Sequence, residues 1–378
     1  MSTLPRSMRC RWHAWLFACL SVCAAFACAA PVVYLAGDST VMSYRSGNYP
    51  QQGWGGRLQD YFSAGVSFNN HAIGGRSSKS FVDEGRLAAI LGVIKPGDYL
   101  FVQFGHNDIY SDPRLHTDPF TSYKTYLAMY IDLARQYGAT PVLVTPMGKR
   151  RYDSNGKFVN DFADRSAAMK QLALEKNCAL IDLNASSIGW YNELGVAPTT
   201  DVFLWLAPGQ YPNFPNGVSD IIHFQEYGAG QLARLVTQAI DGSQLGLRAF
   251  IGAVVYPAEA ALLSGVGTVR ERTYAGWQGR GYVRFPASGG ALTLNRVIGR
   301  NGGARTLRIR YANGAASARS GQLVVNGAAT PISFAPSGSW STWVNKDVVV
   351  TLNRGAVNAI SLRSAGAGLA NIDGLTVY

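Results

Sequence analysis

Short apolar runs alternate with amphipathic stretches between residues 31 and 241. The apolar runs are typical of buried strands, and the stretches between them have the periodicity of helices. Buried strands that alternate with helices predict a parallel sheet covered on both faces, with functional residues at the carboxyl ends of the strands. The predicted strands are 32–36, 66–70, 99–104, 140–145 and 179–183, and the predicted helices are 54–63, 83–93, 121–137, 160–176 and 225–241.

The pattern changes after residue 253. Turn pairs such as Asn313-Gly314 and Asn326-Gly327 separate short runs in which apolar and polar residues alternate. This pattern predicts an antiparallel β-sandwich over 254–378. Its strands are expected near 282–285, 307–311, 322–325, 348–352 and 359–362, and the glycines of 243–253 predict a linker between the sandwich and an α/β domain at 31–242.

The first 30 residues have the composition of a secretory signal peptide. Arginines precede an apolar stretch at 14–26, and Ala27-Cys28-Ala29 supplies a cleavage site with small residues. We therefore expect a secreted or periplasmic protein. The apolar stretch is shorter than the roughly 18–20 residues of a membrane span, so no stable membrane insertion is expected. Cys178 is the one cysteine beyond this leader, and we expect it to be buried without a disulfide partner.

Composition and charge limit which classes of protein and which binding partners are consistent with the sequence. The 378 residues are 47% hydrophobic and 15% charged, which excludes a disordered chain. The net charge of +11 is concentrated in residues 253–378, where 13 basic residues face 4 acidic ones. A basic module suits a polyanion, and the absence of a Lys/Arg run argues against nucleic acid.

Polar residues follow three of the predicted strands. Because the carboxyl ends of parallel strands share one edge of the sheet, we expect these side chains to lie close together. They are Gly37-Asp38-Ser39, Gly74-Gly75-Arg76 and Gly105-His106-Asn107-Asp108. A serine at such an edge can act as a nucleophile, and a glycine N–H and an asparagine amide can bind an oxyanion. Asp220 and His223, just before the last helix, have the spacing for one loop to present a base and its orienting carboxylate.

These four blocks resemble those of the SGNH (GDSL-type) hydrolase superfamily. The residues at 70–81, 95–99 and 141–146 further resemble the rhamnogalacturonan acetylesterases, carbohydrate esterase family 12. The resemblance implies a three-layer α/β/α fold with a five-stranded parallel sheet. It also implies removal of O-acetyl groups from pectic polysaccharide through an acyl-serine, with no cofactor for catalysis.

The resemblance also implies a role in this reaction for individual residues of the chain. It implies that Ser39 is the nucleophile, that His223 is the general base and acid, and that Asp220 orients His223. The N–H groups of Ser39 and Gly75 and the side chain of Asn107 would form the oxyanion hole.

Substrate contacts are expected from basic residues near these blocks. Arg76, Arg150 and Arg151 could meet uronate carboxylates, with surface or salt-bridged arginines as the alternative reading. The proline-containing stretch at 207–219 departs from the family pattern and is expected to shape the substrate cleft.

The C-terminal part resembles carbohydrate-binding modules of families 6 and 35. The resemblance is carried by Tyr256-Pro257-Ala258-Glu259, by residues 310–314 and by Asn371-Ile372-Asp373-Gly374. It implies a structural calcium held by Glu259 and Asp373, although Pro257 stands where these modules often have an acid. Trp277 and Trp340 are expected in the ligand loops, since a flat apolar ring complements a pyranose.

Three alternatives remain open at this point. The first is an SGNH esterase for acetylxylan or another acyl ester, and the second is a glycan-binding adhesin with an inactive hydrolase domain. The third is a metallophosphoesterase whose metal ligands would be Asp38, His106, Asp108 and His223. That class usually begins with an Asp-x-His metal pair, which Gly37-Asp38-Ser39 lacks.

Overall fold

The computed structural model describes residues 30–364 and 368–378. The signal peptide predicted at 1–30 therefore lies outside the described residues, except for Ala30. None of the helices in the described part has the length and apolar character needed to cross a membrane.

The first half of the chain is built around a five-stranded parallel sheet with the order β3-β1-β4-β5-β6. Strands β1 and β4 are almost continuously buried, as expected for strands covered on both faces. The strands before residue 242 are β1 (Val32–Gly37), β2 (Gln51–Gln52), β3 (Ser67–Asn70), β4 (Tyr99–Gln103), β5 (Thr140–Val144), β6 (Ala179–Ile181), β7 (Phe203–Leu206) and β8 (Val218–Gln225).

Helices cover both faces of this sheet, and each face has its own apolar core. Side chains of α1 to α4 pack on one face, and those of α5 and α6 pack on the other. The helices are α1 (Ser78–Asp83), α2 (Arg86–Leu91), α3 (Lys124–Gln136), α4 (Ala163–Glu175), α5 (Leu183–Leu194) and α6 (Glu226–Asp241). The predicted three-layer α/β/α fold with five parallel strands is confirmed.

Two predicted helices differ from the structure. The segment predicted as one helix at 54–63 forms two 3-10 turns, Trp54–Gly56 and Leu58–Tyr61. The helix predicted at 83–93 is divided into α1 and α2, because Gly85 between them has a left-handed φ of 72°.

The sequence pattern also missed an antiparallel ribbon. Strand β8 pairs with β7 on one side and with β2 on the other. Asp220 and His223 were expected on a loop before the last helix, and both lie instead on β8. The ladder pairs on either side of them, at Ser219 and at Phe224, hold the two ends of this stretch, and the register between β7 and β8 shifts within it.

The C-terminal half is an antiparallel β-sandwich, as predicted. One sheet has the order β10-β13-β18-β15-β16, and the other has the order β11-β12-β19-β14-β17, with β9 also paired to β19. The strands are β9 (Val254–Pro257), β10 (Leu262–Ser264), β11 (Val269–Glu271), β12 (Tyr282–Arg284), β13 (Ala291–Val297), β14 (Gly303–Ala312), β15 (Arg319–Val325), β16 (Ala328–Phe334), β17 (Val344–Leu352), β18 (Asn358–Ser364) and β19 (Asn371–Val377).

The residues predicted as a linker, 243–253, pack against the hydrolase half. Leu247 and Ile251 are buried in the same apolar core as residues of both halves. Ser63 donates its N–H to the Phe250 carbonyl at 2.8 Å, and Gly252 donates to the Tyr61 carbonyl at 2.8 Å. The segment therefore joins the two halves along a packed interface.

Candidate active site

Ser39 lies on the tight turn that follows β1. The buried Asp38 holds this turn, because its Oδ1 accepts the Thr40 N–H at 2.8 Å and the Thr40 hydroxyl at 2.6 Å. A Cβ on Gly37 would lie 2.6 Å from the Val41 side chain, so the turn has no room for a larger residue at position 37. The Ser39 side chain is thus presented at the sheet edge by a backbone that the core fixes.

Asp220, His223 and Ser39 form a continuous chain of hydrogen bonds. His223 Nε2 lies 2.9 Å from Ser39 Oγ, and His223 Nδ1 lies 2.7 Å from Asp220 Oδ2. Asp220 Oδ1 accepts the N–H of Ile222 at 2.7 Å and that of His223 at 3.0 Å. Burial raises the pKa of Asp220, but the hydrogen bonds from the His223 ring and backbone outweigh it, so the pKa lies below its ordinary value.

The predicted oxyanion donors Gly75 and Asn107 follow β3 and β4, the two strands that flank β1. Gly75 has a left-handed φ of 78°, which favours glycine at this turn. Within the residues that the structure describes, the N–H groups of Ser39 and Gly75 donate no hydrogen bond. Asn107 Nδ2 donates to the Arg76 carbonyl at 3.0 Å, which fixes the amide and leaves its second hydrogen free.

Tyr44 is a neighbour of the nucleophile that the sequence pattern did not indicate. Its hydroxyl lies beside Ser39 and Gln51, and burial raises its pKa. The phenol therefore remains protonated and can donate a hydrogen bond at neutral pH. No motif marks this position, which lies five residues after Ser39 on an irregular loop.

The other acidic and imidazole groups near the site support its loops. The buried Asp108 accepts the Ser78 hydroxyl at 2.5 Å and the Thr117 hydroxyl at 2.9 Å, and burial raises its pKa. His106 lies 3.4 Å from Asp38 and packs on the Phe162 ring.

These residues do not assemble into a metal site. No group of three or more His, Cys, Asp or Glu side chains in residues 30–364 and 368–378 could hold a metal ion. The ligand set of the metallophosphoesterase alternative is therefore not brought together. Cys178 is partly buried without a disulfide partner in the described chain, and burial raises the pKa of its thiol to about 11.

The three arginines predicted to bind substrate lie in different surroundings. Arg76 pairs with Glu84 at 3.1 Å and also donates to the Gly74 carbonyl. Arg150 is only 7% exposed, and its guanidinium packs on the Trp205 ring at 4.3 Å. Arg150 is thus packed against the β7–β8 ribbon and is little exposed to a ligand. Arg151 pairs with Asp161 but keeps 59% of its side chain exposed, so it is the arginine of the three that a ligand can reach most easily.

Aromatic residues gather where two loops of the sandwich meet. Trp340 stacks with Tyr274 at 6.1 Å, and Arg319 lies over the Trp340 ring at 4.9 Å. Trp343 donates its indole N–H to the Ala275 carbonyl at 2.9 Å. Trp277 is partly buried on the loop that also carries Tyr274. Trp340 is thus part of this cluster, and the prediction that Trp277 and Trp340 bind a ligand stays a prediction.

The residues predicted to bind calcium do not form a calcium site by themselves. Asp373 Oδ1 accepts the Gln278 N–H at 2.9 Å, and its Oδ2 is paired with Arg310. Glu259 Oε1 accepts the Arg280 N–H at 2.8 Å, which leaves Glu259 Oε2 as a buried oxygen without a hydrogen bond. Calcium takes six to eight oxygen ligands, whereas here a guanidinium already neutralises Asp373. The side chains present therefore do not fit the ion.

The fold and the site define a hydrolase of carboxylic esters. Residues 35–230 match the model of the GDSL-like Lipase/Acylhydrolase family, and the chain belongs to this family. It is 43% identical over 215 residues to the rhamnogalacturonan acetylesterase RhgT of Bacillus subtilis, a match that covers 57% of this chain and 90% of that protein. It is also 45% identical over 216 residues to the probable rhamnogalacturonan acetylesterase YesY of the same organism, covering 57% and 94%. The predicted resemblance to this group of esterases is confirmed.

The sandwich has similarities of its own. Residues 291–377 match a family model described as an alpha-galactosidase CBM13 domain. A solved structure of a family 35 carbohydrate-binding module from Clostridium thermocellum is 33% identical, with a TM-score of 0.32, and the match covers 34% of this chain and 98% of that one. The match to this family model confirms the predicted resemblance of the C-terminal half to a carbohydrate-binding module.

Proposed function

We propose that the protein removes O-acetyl groups from a pectic polysaccharide of the rhamnogalacturonan type, with Ser39 as the nucleophile. The hydrogen-bonded chain Asp220–His223–Ser39 carries this proposal, because it supplies a nucleophile with a base in direct contact. The names of the two Bacillus relatives support the choice of substrate.

The first half of the proposed reaction acylates Ser39. Asp220 Oδ2 accepts the Nδ1–H of His223, so Nε2 carries the lone pair that faces Ser39 Oγ. Oγ attacks the acetyl carbonyl carbon and passes its proton to Nε2. The N–H groups of Ser39 and Gly75 and the free amide hydrogen of Asn107 then bind the oxyanion. When the tetrahedral intermediate collapses, the C–O bond to the sugar breaks and His223 returns the proton to the sugar oxygen.

The second half hydrolyses the acyl-serine. A water molecule takes the place of the sugar, gives a proton to His223 Nε2 and attacks the acyl carbon through the same oxyanion hole. Collapse of the second intermediate releases acetate, and the proton moves from His223 to Ser39 Oγ. The cycle needs no metal or other cofactor, so we expect full activity in the presence of a chelator.

Charge and surface chemistry support an acidic glycan as substrate. The basic excess of residues 253–378 attracts uronate groups, and the aromatic cluster around Trp340 offers flat apolar rings next to arginines. Arg151 adds an exposed cation on the hydrolase half. The leader predicted at 1–30 would deliver the protein to the compartment in which such polysaccharides occur.

Acetate release from a panel of polymers tests the proposal. Wild type is expected to release acetate fastest from acetylated rhamnogalacturonan, with Ser39→Ala inactive on every substrate. Faster release of acetate from acetylated xylan would show that xylan is the preferred substrate, and it would leave the proposed mechanism unchanged. Activity that survives in Ser39→Ala would overturn the mechanism, whichever polymer is preferred.

A further inference from the structure

The sandwich and the hydrolase half share one buried interface. Trp190 on α5 donates its indole N–H to the Ala260 carbonyl at 3.4 Å, and Gln238 on α6 donates to the Arg296 carbonyl at 2.7 Å. A single apolar core runs through both halves at this place. The GDSL-like family model matches residues 35–230, so the contacts from the sandwich come from outside the part of the chain that this family model covers.

Arg280 of the sandwich reaches three separate segments of the hydrolase half. Its Nη1 donates to the Tyr211 hydroxyl at 2.8 Å, and its Nη2 donates to Gln225 Oε1 at 2.5 Å and lies 3.3 Å from Asp201 Oδ1. Tyr211 belongs to the 207–219 stretch that precedes Asp220, and Gln225 is the last residue of β8. The Arg280 side chain is only 16% exposed, so water competes little for these contacts.

Gln225 connects Arg280 to the strand that carries the imidazole. Gln225 is 1% exposed, and its amide nitrogen donates to the carbonyls of Thr200 and Phe203 at 2.9 Å each. His223 lies two residues earlier on the same strand, next to the ladder pairs of Phe224 and Gln225 and within the stretch where the β7–β8 register shifts, so the backbone at 224–225 is its nearest paired anchor. A shift of Gln225 therefore moves His223 relative to Ser39.

The sandwich fixes Arg280 at its own end. The Arg280 N–H donates to Glu259 Oε1 at 2.8 Å. Gly279 has a left-handed φ of 73°, and a Cβ at this position would lie 2.4 Å from Glu259 Oε1. Close approach of the loop to Glu259 thus requires glycine at 279, and the loop presents the guanidinium in one defined place.

We infer that Arg280 is a positioning residue for His223, and that the sandwich is consequently part of the esterase site in addition to any role in glycan binding. This inference rests on the roles proposed above for Ser39 and His223. Arg280 contacts neither nucleophile nor base; it acts through Gln225 and Tyr211. Displacement of a reacting group by about 1 Å can lower a rate about 100-fold, so the loss of this support should appear in the chemical step.

The test compares variants of the full chain on p-nitrophenyl acetate, an ester too small to need the sandwich as a binding surface. Arg280→Met is expected to lower kcat by about 10- to 100-fold with KM changed less than about twofold. Arg280→Lys should regain part of the loss, because it restores one cationic donor. The rate at which an organophosphorus reagent modifies Ser39 should fall in parallel with kcat, which a purely structural role would not cause.

Arg308→Met is the matched control, since Arg308 forms an exposed pair with Asp347 within the sandwich. It is expected to hydrolyse the ester like wild type. A folded Arg280→Met with wild-type kcat would overturn the inference. If Arg280→Met does not fold, Tyr211→Phe is the second variant, because it removes a single hydrogen-bond acceptor of Arg280. A fall in kcat of about fivefold in Tyr211→Phe supports the inference, and an unchanged kcat overturns it. Activity in Ser39→Ala would instead refute the proposed mechanism. The experiment therefore distinguishes a failure of the inference about Arg280 from a failure of the proposed function.

Discussion

Glu259 should make the protein less stable as the pH rises from about 5 to 8. Burial is the main cause that raises the pKa of this carboxyl group from 4.5 to about 8 in the folded chain. Its Oε2 has no hydrogen-bond partner in the described residues, so nothing there offsets the cost of ionisation at this atom.

The sign follows from where the proton is held. Between pH 4.5 and 8 the folded chain keeps the proton on Glu259 and the unfolded chain releases it, so stability falls with rising pH. Each pKa unit corresponds to about 1.4 kcal/mol, so the whole interval is worth about 5 kcal/mol. Below pH 4.5 both states hold the proton, and the contribution of this group no longer changes.

Denaturant unfolding at a series of pH values measures this effect. Glu259→Gln keeps an oxygen for the Arg280 N–H and cannot ionise, so its stability is expected to exceed that of wild type increasingly toward pH 8. The matched control is Glu271→Gln, because the hydrogen bond from Arg284 lowers the pKa of Glu271 and its contribution lies at lower pH. Equal pH slopes for wild type and Glu259→Gln would refute the reasoning. Added calcium is expected to leave the slope unchanged, since the carboxylates do not form a site for the ion.

Four further predictions concern the site and the glycan. Asp220→Asn should lower kcat on p-nitrophenyl acetate about 10³- to 10⁴-fold with a normal fold by circular dichroism, because the amide favours the wrong tautomer of His223. Asn107→Ala should lower kcat about 10²- to 10³-fold with little change in KM, as loss of one oxyanion donor does. Tyr44→Phe should reduce kcat/KM about fivefold, the effect of one hydrogen bond, and an unchanged pre-steady-state acylation rate would contradict a contact with Ser39. Binding of Ser39→Ala to polygalacturonate should weaken as sodium chloride rises from about 0.05 to 0.5 M, whereas salt-independent binding would contradict an electrostatic contribution of the sandwich.

The strand-end residues were predictable because their position follows from topology alone. Once a parallel sheet is recognised, Ser39, Gly75 and Asn107 must share one edge, and the structure places them there. The pattern of Asp220 and His223 was equally clear, although they lie on a strand. That strand was missed because its ladder partners β2 and β7 are short, because β2 lies far away in sequence, and because the register between β7 and β8 is irregular.

No comparable pattern in the sequence indicated the contacts of Arg280. Its partners lie between 55 and 79 residues away in the chain, and their meeting depends on how two domains pack. Arg150 illustrates the same limit, since its burial against Trp205 depends on a ribbon that the periodicity did not indicate. Local sequence patterns predict secondary-structure elements and the residues at the edge of a sheet, whereas tertiary packing decides where long side chains lie.

The apolar core that crosses from α6 into the sandwich also determines how the molecule melts. Two halves joined by polar contacts alone would unfold in separate transitions. Here, unfolding of one half would expose the apolar core that it shares with the other half to water, at a large cost in free energy. Calorimetry should accordingly record a single endotherm for residues 31–378.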